Sequence, residues 1–281
     1  MVRLLGPAEV RELAQRLDLS PTKRLGQNFV IDANTVRRIV ATADVVPGER
    51  VIEIGPGLGS LTLGLVEAGA SVTAVEIDRR LAALLPTTAA AMGAPDGSLD
   101  VLAADAMTVT PASGAGAGEA TALVANLPYN VSVPVLLHVL ERFPGVERGL
   151  VMVQAEVGQR LAAAPGSKVY GAPSVKAAWF ADVRLAGAVG RQVFWPVPNV
   201  DAVLVRLDRH PPPGDERERL ATFELVDAAF GQRRKMLRQS LAAVLGPSAS
   251  AKMERAGVDP TARGEVLGVE EFLAIARQRS E

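Results

Sequence analysis

The residues of this chain best suited to chemistry are amides, carboxylates and aromatic rings, because it has no cysteine and only two histidines, His138 and His210. Disulfides, thiolate nucleophiles and cysteine-based metal sites are excluded together, and no metal is expected. The most suggestive group is Asn126-Leu127-Pro128-Tyr129. An amine conjugated to a ring is a poor nucleophile, since its lone pair is delocalised. The Asn126 amide oxygen and the Leu127 backbone carbonyl can each accept a hydrogen bond from such an amine. Together they favour a pyramidal nitrogen whose lone pair points at an electrophile. Pro128 stiffens the turn and removes a competing donor. Tyr129 offers a face for a base, and stacking of that kind is worth about 1–3 kcal/mol. With a highly activated leaving group no strong base is required, which suits a chain so poor in histidine.

A second group lies upstream. Glu53-Ile54-Gly55-Pro56-Gly57-Leu58-Gly59-Ser60 combines an acidic residue with glycines that let a backbone approach a ligand closely. No Gly-Lys-Ser/Thr follows, so it is not a P-loop. A dinucleotide-binding turn would place glycine or alanine where Ser60 stands. The G-x-G-x-G spacing, with an acidic residue two before the first glycine, is instead similar to class I methyltransferases. The tetrad resembles the N/D-P-P-Y/F motif of methyltransferases acting on conjugated amines. Glu76, 21 residues after Gly55, is placed to accept both hydroxyls of a ribose, and Asp105 to accept from an adenine amine.

These residues need a scaffold that brings them to one edge. Apolar runs at 51–54, 71–76, 101–104, 123–125 and 150–154 alternate with helical patterns at 61–68 and 79–91. Buried runs of that length separated by helices predict βαβ units on a parallel sheet. The fold class expected is a Rossmann-like α/β domain, with Gly55, Glu76, Asp105 and Asn126 all at the carboxyl ends of strands. Runs at 183–189 and 202–207 are expected to close the sheet as an antiparallel edge, and the Gly/Ala-rich stretch 112–120 to be a loop. Three consecutive prolines within 208–218 interrupt both patterns. The expected domains are therefore 1–207, a linker 208–218, and a small helical domain 219–281. In the last, Phe223, Val226 and Phe230 share a helix face, as do Met236, Leu237, Ser240 and Leu241.

The chain has 281 residues, 48% apolar, and a net charge of −1. That total hides a local excess: residues 228–253 carry five basic side chains and no acidic one. No leader-like or membrane-spanning run is present, so a cytoplasmic protein is expected, with a monomer as the default.

From about residue 20 to 279 the sequence resembles the ribosomal RNA adenine dimethyltransferases, and within them the KsgA-like small-subunit enzymes. Lys23-Arg24-Leu25-Gly26-Gln27-Asn28-Phe29 is similar to that family's N-terminal signature, Ser167–Val175 to another family segment, and Phe194-Trp195-Pro196-Val197-Pro198 to its F-x-P-x-P stretch. The resemblance implies S-adenosyl-L-methionine as cofactor, held by Asn28, the Val30 backbone, Gly55, Gly57, Glu76, Asp105 and Asn126. It also implies that Asn126, Leu127, Pro128, Tyr129 and Phe194 form the catalytic site, with Phe194 stacking on a flipped adenine opposite Tyr129. Lys23, Arg24, Arg233, Arg234, Lys235 and Arg238 would contact RNA. The implied substrate is 16S rRNA within the small ribosomal subunit, dimethylated at N6 of two adjacent adenosines near its 3′ end.

Ala155, Asn199 and Ala202 depart from the residues usual in that family, which bears on peripheral RNA contacts only. The rival readings are a large-subunit enzyme of the macrolide-resistance type, which shares loop and tetrad, and a non-catalytic subunit assembly factor. A DNA adenine methyltransferase lacks support in any sequence-reading domain, and a protein-glutamine methyltransferase would not need the basic run.

Overall fold

The computed structural model describes residues 1–19 and 28–279. The chain divides into two compact units, Met1–Gly158 with Arg184–Arg209, and Gln159–Val183 with His210–Glu281.

The first unit opens with α1 (Pro7–Arg16), β1 (Phe29–Val30) and α2 (Ala33–Thr42). Asp32 caps α2 by accepting from the Thr35 N–H at 2.7 Å, satisfying an amide that has no partner within the helix. Strands and helices then alternate through β2 (Arg50–Ile54), α3 (Ser60–Glu67), β3 (Ser71–Glu76), α4 (Arg79–Ala91), β4 (Leu99–Ala103), β5 (Ala122–Asn126), α5 (Ser132–Arg142), β6 (Arg148–Gln154) and α6 (Ala155–Leu161). After α7 (Ala172–Ala178) come β7 (Ala181–Val189), β8 (Phe194–Trp195) and β9 (Ala202–Arg209). The stretch expected as a loop at 112–120 holds two single 3₁₀ turns, Pro111–Ser113 and Ala117–Glu119.

Seven strands form one sheet in the order β4-β3-β2-β5-β6-β9-β7. β2 through β6 run parallel, and β9 pairs antiparallel with β6, from Arg148↔Asp208 to Gln154↔Ala202. β2 and β5 are central, buried along nearly their whole length, whereas the edge strand β4 is only partly covered. The strand order reverses at β2, which lies between β3 and β5. Such a switch point leaves a crevice at the carboxyl ends, because the flanking connections leave in opposite directions. The Rossmann-like fold expected from the sequence is the fold observed.

The opposite end of the sheet is closed by charge. Glu49, 8% exposed, accepts from Arg148 at 2.5 Å, from the Thr121 hydroxyl at 2.9 Å and from the Val46 N–H at 3.2 Å. Arg148 also donates to the Asp44 carbonyl at 2.9 Å. The same corner holds Arg206, which pairs with Asp44 and Asp208.

The second unit is helical: α7, α8 (Glu216–Gly231), α9 (Leu237–Ser240), α10 (Ala242–Leu245), α11 (Ala249–Arg255) and α12 (Val269–Arg277). Asp215 and Glu218 form a reciprocal capping box at the start of α8. Two expectations are corrected here. Residues 159–183 cluster with the C-terminal helices, although the last three already open β7: Tyr170 and Val175 pack with Leu225, Val226 and Phe272, the Tyr170 hydroxyl donates to the Leu267 carbonyl at 2.8 Å, and Trp179 and Phe180 meet Phe223 edge-on. Local composition marks the prolines but carries no sign of this long-range packing. Likewise β9 runs to Arg209 and α8 starts at Glu216, so the connecting segment is shorter than 208–218.

Removing the Arg148 guanidinium strands the Glu49 carboxylate at a mostly covered site. Arg148→Ala is expected to cost about 2–3 kcal/mol, below the loss for a fully buried pair because Glu49 keeps its other donors. Urea denaturation measures this, and Glu49→Gln added to Arg148→Ala should recover part of the loss. A double variant no more stable than the single one would contradict the role of the pair.

Candidate functional site

A cavity of about 260 Å³ opens at the switch point. Its functional side chains come largely from strand ends. Gly55 and Gly57 follow β2, Glu76 is the last residue of β3, Asp105 lies two beyond β4, and Asn126 is the last residue of β5. Asn28 and Val30 line it from the N-terminal side, and Pro128 from the tetrad. Parallel strands in register make this convergence inevitable, since residues that end neighbouring strands end on the same side.

The glycine loop is shaped by what packs on it. Gly57 has φ +59, and a Cβ there would stand 2.8 Å from Cε1 of Phe29. Gly59 has φ +95, with Leu85 Cδ1 2.6 Å from the place of a Cβ. Both positions need glycine for backbone conformation and for space. The Gly57 N–H donates to one Glu76 oxygen at 3.1 Å, and the Asp78 N–H to the other at 2.9 Å. Glu76 is thus fixed in orientation while each oxygen keeps accepting capacity. Burial raises its pKa above the ordinary carboxylate value, against those two backbone bonds. Asp105 is exposed and accepts from the Met107 N–H at 2.9 Å.

At the tetrad, Asn126 Nδ2 donates to the Asn28 backbone carbonyl at 2.9 Å. The amide oxygen is therefore turned away from Asn28. The Leu127 side chain is buried, and its N–H donates to the Met152 carbonyl at 3.1 Å, which continues the β5–β6 ladder by one residue. The Tyr129 hydroxyl is enclosed without a hydrogen-bond partner, and burial, with a smaller contribution from the Asp201 charge, pushes it up to about 12.

Not every expected residue comes to this place. Phe194 is 0% exposed and packs in the sheet core with Val30, Val189, Ala202 and Leu204. Its register partner is Val30, in a two-stranded ladder of β1 and β8. A side chain so enclosed has no face for a base, and the stacking role expected for it finds no support in this geometry. Arg233 is also committed elsewhere, paired with Glu265 at 3.0 Å and donating to the Lys168 carbonyl at 2.8 Å. Residues 232–236 form a turn between α8 and α9 in which Arg234 and Lys235 are exposed, and Arg238 is exposed on α9. Lys23 and Arg24 lie outside the described residues.

Other lining residues went unnoticed in the sequence. Phe29 roofs Gly57, Ile77 directly follows Glu76, and Met107 comes two after Asp105; the last two are exposed apolar side chains, 63% and 42% accessible. An apolar residue just after an acidic strand end is the sequence signal that could have found them. Ser60 is 6% exposed, lines the cavity, and its hydroxyl lacks a partner.

The lining holds three carboxyl groups, Glu53, Glu76 and Asp105, and neither lysine, arginine nor histidine among the described residues. Such a wall suits a ligand with positive charge and hydroxyl or amine donors, and disfavours phosphates. Among the described residues no metal-binding cluster of His, Cys, Asp or Glu occurs, and no helix is long and apolar enough to cross a membrane.

Comparison with known proteins adds an independent line. Residues 19–280 match the family model described as ribosomal RNA adenine dimethylase. A protein of Leifsonia xyli subsp. xyli named ribosomal RNA small subunit methyltransferase A is 63% identical, over 98% of each chain. Its counterpart of the same name from Streptomyces coelicolor is 60% identical, over 98% of this chain and 97% of the other. Among solved structures, a 23S rRNA methyltransferase, ErmE, is 26% identical with a TM-score of 0.65, covering 90% of this chain and 100% of that one. A dimethyladenosine transferase from Plasmodium falciparum superimposes with a TM-score of 0.69 at 22% identity, over 88% of this chain and 95% of that one, and shows the shared fold.

The electrostatics of the cavity can be probed without a ligand. Burial pushes Glu53 from an ordinary 4.5 up to about 8, opposed by the Thr62 hydroxyl, which donates to it at 2.6 Å, and aided by the nearby Glu76 charge. The folded chain then holds a proton that the unfolded chain releases. Its contribution to stability is full below the unfolded value and is lost as pH rises through the folded one. Glu53→Gln removes this loss. Between pH about 5 and 8, urea midpoints should therefore move progressively in favour of Glu53→Gln over wild type. A difference that stays constant across that range would mean that Glu53 is ionised throughout.

Proposed function

The chain belongs to the ribosomal RNA adenine dimethylase family, and from that premise we propose that it transfers two methyl groups to N6 of each of two adjacent adenosines near the 3′ end of 16S rRNA in the small ribosomal subunit. The observation that carries the reading is the placement of Asn126. It ends β5 at the cavity, its amide nitrogen held by Asn28 and its oxygen turned elsewhere.

S-adenosyl-L-methionine fits the cavity by the chemistry of its donors. It carries an ammonium and a sulfonium, which an acidic wall favours, and ribose hydroxyls and an adenine amine, which Glu76 and Asp105 would accept. Gly55, Gly57, Asn28 and the Val30 backbone would complete its binding, and the orphaned Ser60 hydroxyl supplies a donor. When bound, it supplies an activated methyl on sulfur. Asn126 Oδ1 and the Leu127 carbonyl would accept from the two N6 protons of an adenine, orienting the nitrogen lone pair at that methyl. The nitrogen lone pair would form the new C–N bond as the methyl's bond to sulfur breaks, the electron pair staying on sulfur to give neutral S-adenosylhomocysteine, and the cationic nitrogen would then release one proton to water. The second transfer starts from an amine with one N–H, so only one of the two acceptors can be used. Tyr129 would present its ring to the adenine.

Arg234, Lys235 and Arg238 would contact phosphates of the RNA, and Arg233 would support that turn through Glu265. Acting on ribosomal RNA during subunit biogenesis implies work in the cytoplasm. Higher identity to the relatives named for the small subunit than to the 23S enzyme favours the small-subunit substrate over the resistance-type alternative.

The test is methyl transfer from labelled S-adenosylmethionine to small subunits from a strain lacking the modification, followed by nucleoside mass spectrometry. Dimethyladenosine is expected in the small-subunit RNA and not in large-subunit RNA assayed in parallel. Asn126→Ala should bind cofactor but lose about a hundredfold in turnover, the scale of removing one preorganised polar group. Label confined to large-subunit RNA, or none in either, would overturn the reading.

A further inference from the structure

One wall of the cavity is not part of the sheet. It is the segment Asn28–Val30, of which β1 pairs antiparallel with β8, placing Phe29 opposite Trp195 and Val30 opposite Phe194. Val30 and Phe194 point together into the sheet core, and both are buried. By the alternation of a strand, Phe29 and Trp195 share the other face. Their rings stack with centroids 6.4 Å apart and planes inclined by 24°. Phe29 also rests against Gly57, so closely that no Cβ fits between them. Phe29 itself lines the cavity beside Gly57, with Trp195 stacked on its ring. The Ile31 N–H, bonded to the Val193 carbonyl at 2.8 Å, extends the ladder by one residue.

Trp195 itself does not line the cavity and is only half-buried. We propose that Trp195 is a positioning residue for cofactor binding: by stacking on the ring of Phe29 it holds Phe29 against Gly57 and keeps the Asn28–Val30 wall in place. This rests on the reading that the cavity takes S-adenosylmethionine. A two-residue ladder has few backbone hydrogen bonds of its own, and an isolated pair of strands that short is not stable in water. The ring contact supplies what the ladder lacks. Without it the wall must be ordered by the ligand, at the expense of affinity.

The experiment uses calorimetry with S-adenosylhomocysteine on wild type, Trp195→Ala and Trp195→Phe, with thermal unfolding as the control for folding. Trp195→Ala is expected to bind about three- to tenfold more weakly, the scale of one aromatic pair, and Trp195→Phe to bind within about twofold of wild type. In turnover, the KM for S-adenosylmethionine should rise by the same factor, while kcat at saturation changes less than KM. The chain has two tryptophans, and Trp179 is 1% exposed in the helical unit. The emission difference between wild type and Trp195→Phe thus isolates Trp195, and it should change when S-adenosylhomocysteine saturates the protein. If wild type binds and Trp195→Ala binds equally well with unchanged unfolding temperature, the inference fails while the function stands. A Trp195 emission indifferent to saturation by ligand would also overturn it. Failure of wild type itself to bind would remove the cofactor reading and this inference together.

Discussion

The hydrogen bond from Asn126 Nδ2 to the Asn28 carbonyl is the constraint on which the site depends, because it decides which way an otherwise symmetrical-looking amide faces. One end of that bond belongs to the sheet: Asn126 is the last residue of a central, buried strand, and its Cα cannot move without breaking register with β6. The other end belongs to a segment outside the main sheet, held by a two-residue ladder and by rings packed on the glycine loop. The same hydrogen bond thus fixes the direction of the amide oxygen and ties the Asn28–Val30 segment to the end of a central strand.

The remainder of the cavity follows from sheet topology and charge. Reversal of strand order at β2 opens the crevice, and parallel register delivers Glu76, Asp105 and Asn126 to its rim. Glu53 and Glu76 are both almost wholly buried beside one another, with no cation in the lining among the described residues. Burial raises the proton affinity of both, and the Glu76 charge adds a smaller push on Glu53, so the cavity wall favours a positively charged ligand over an anion. The opposite end of the sheet uses the reverse arrangement, where Glu49, Asp44 and Asp208 are matched by Arg148 and Arg206. The charges there are paired within the fold, while those at the cavity are left for a partner.

Much of this was legible in the residues. The strand at Ser71–Glu76 and the helix at Arg79–Ala91 have the bounds expected from apolar periodicity, and the strand-end residues met where a parallel sheet requires. What escaped was set by contacts distant in sequence. Nothing local to residues 159–183 says that Tyr170 and Trp179 pack among the C-terminal helices. Phe194 shows the same limit from the other direction: motif resemblance implied a ring stacking on the target base, and pairing with Val30 places it in the sheet core. The basic run after α8 stands out in the sequence by its charge, which carries no sign that the chain turns there and ties Arg233 to Glu265. The Asn126–Asn28 bond spans 98 positions and has no local signature at all.

The most direct measurement is the turnover of Asn126→Asp on small subunits at saturating S-adenosylmethionine. The substitution keeps size and an acceptor oxygen but replaces the donor to Asn28 with a second acceptor, leaving that carbonyl opposed by a carboxylate. If this hydrogen bond orients the tetrad, turnover should fall by about tenfold or more. Turnover equal to wild type would mean that the acceptor alone suffices and that Asn28 does not aim Asn126.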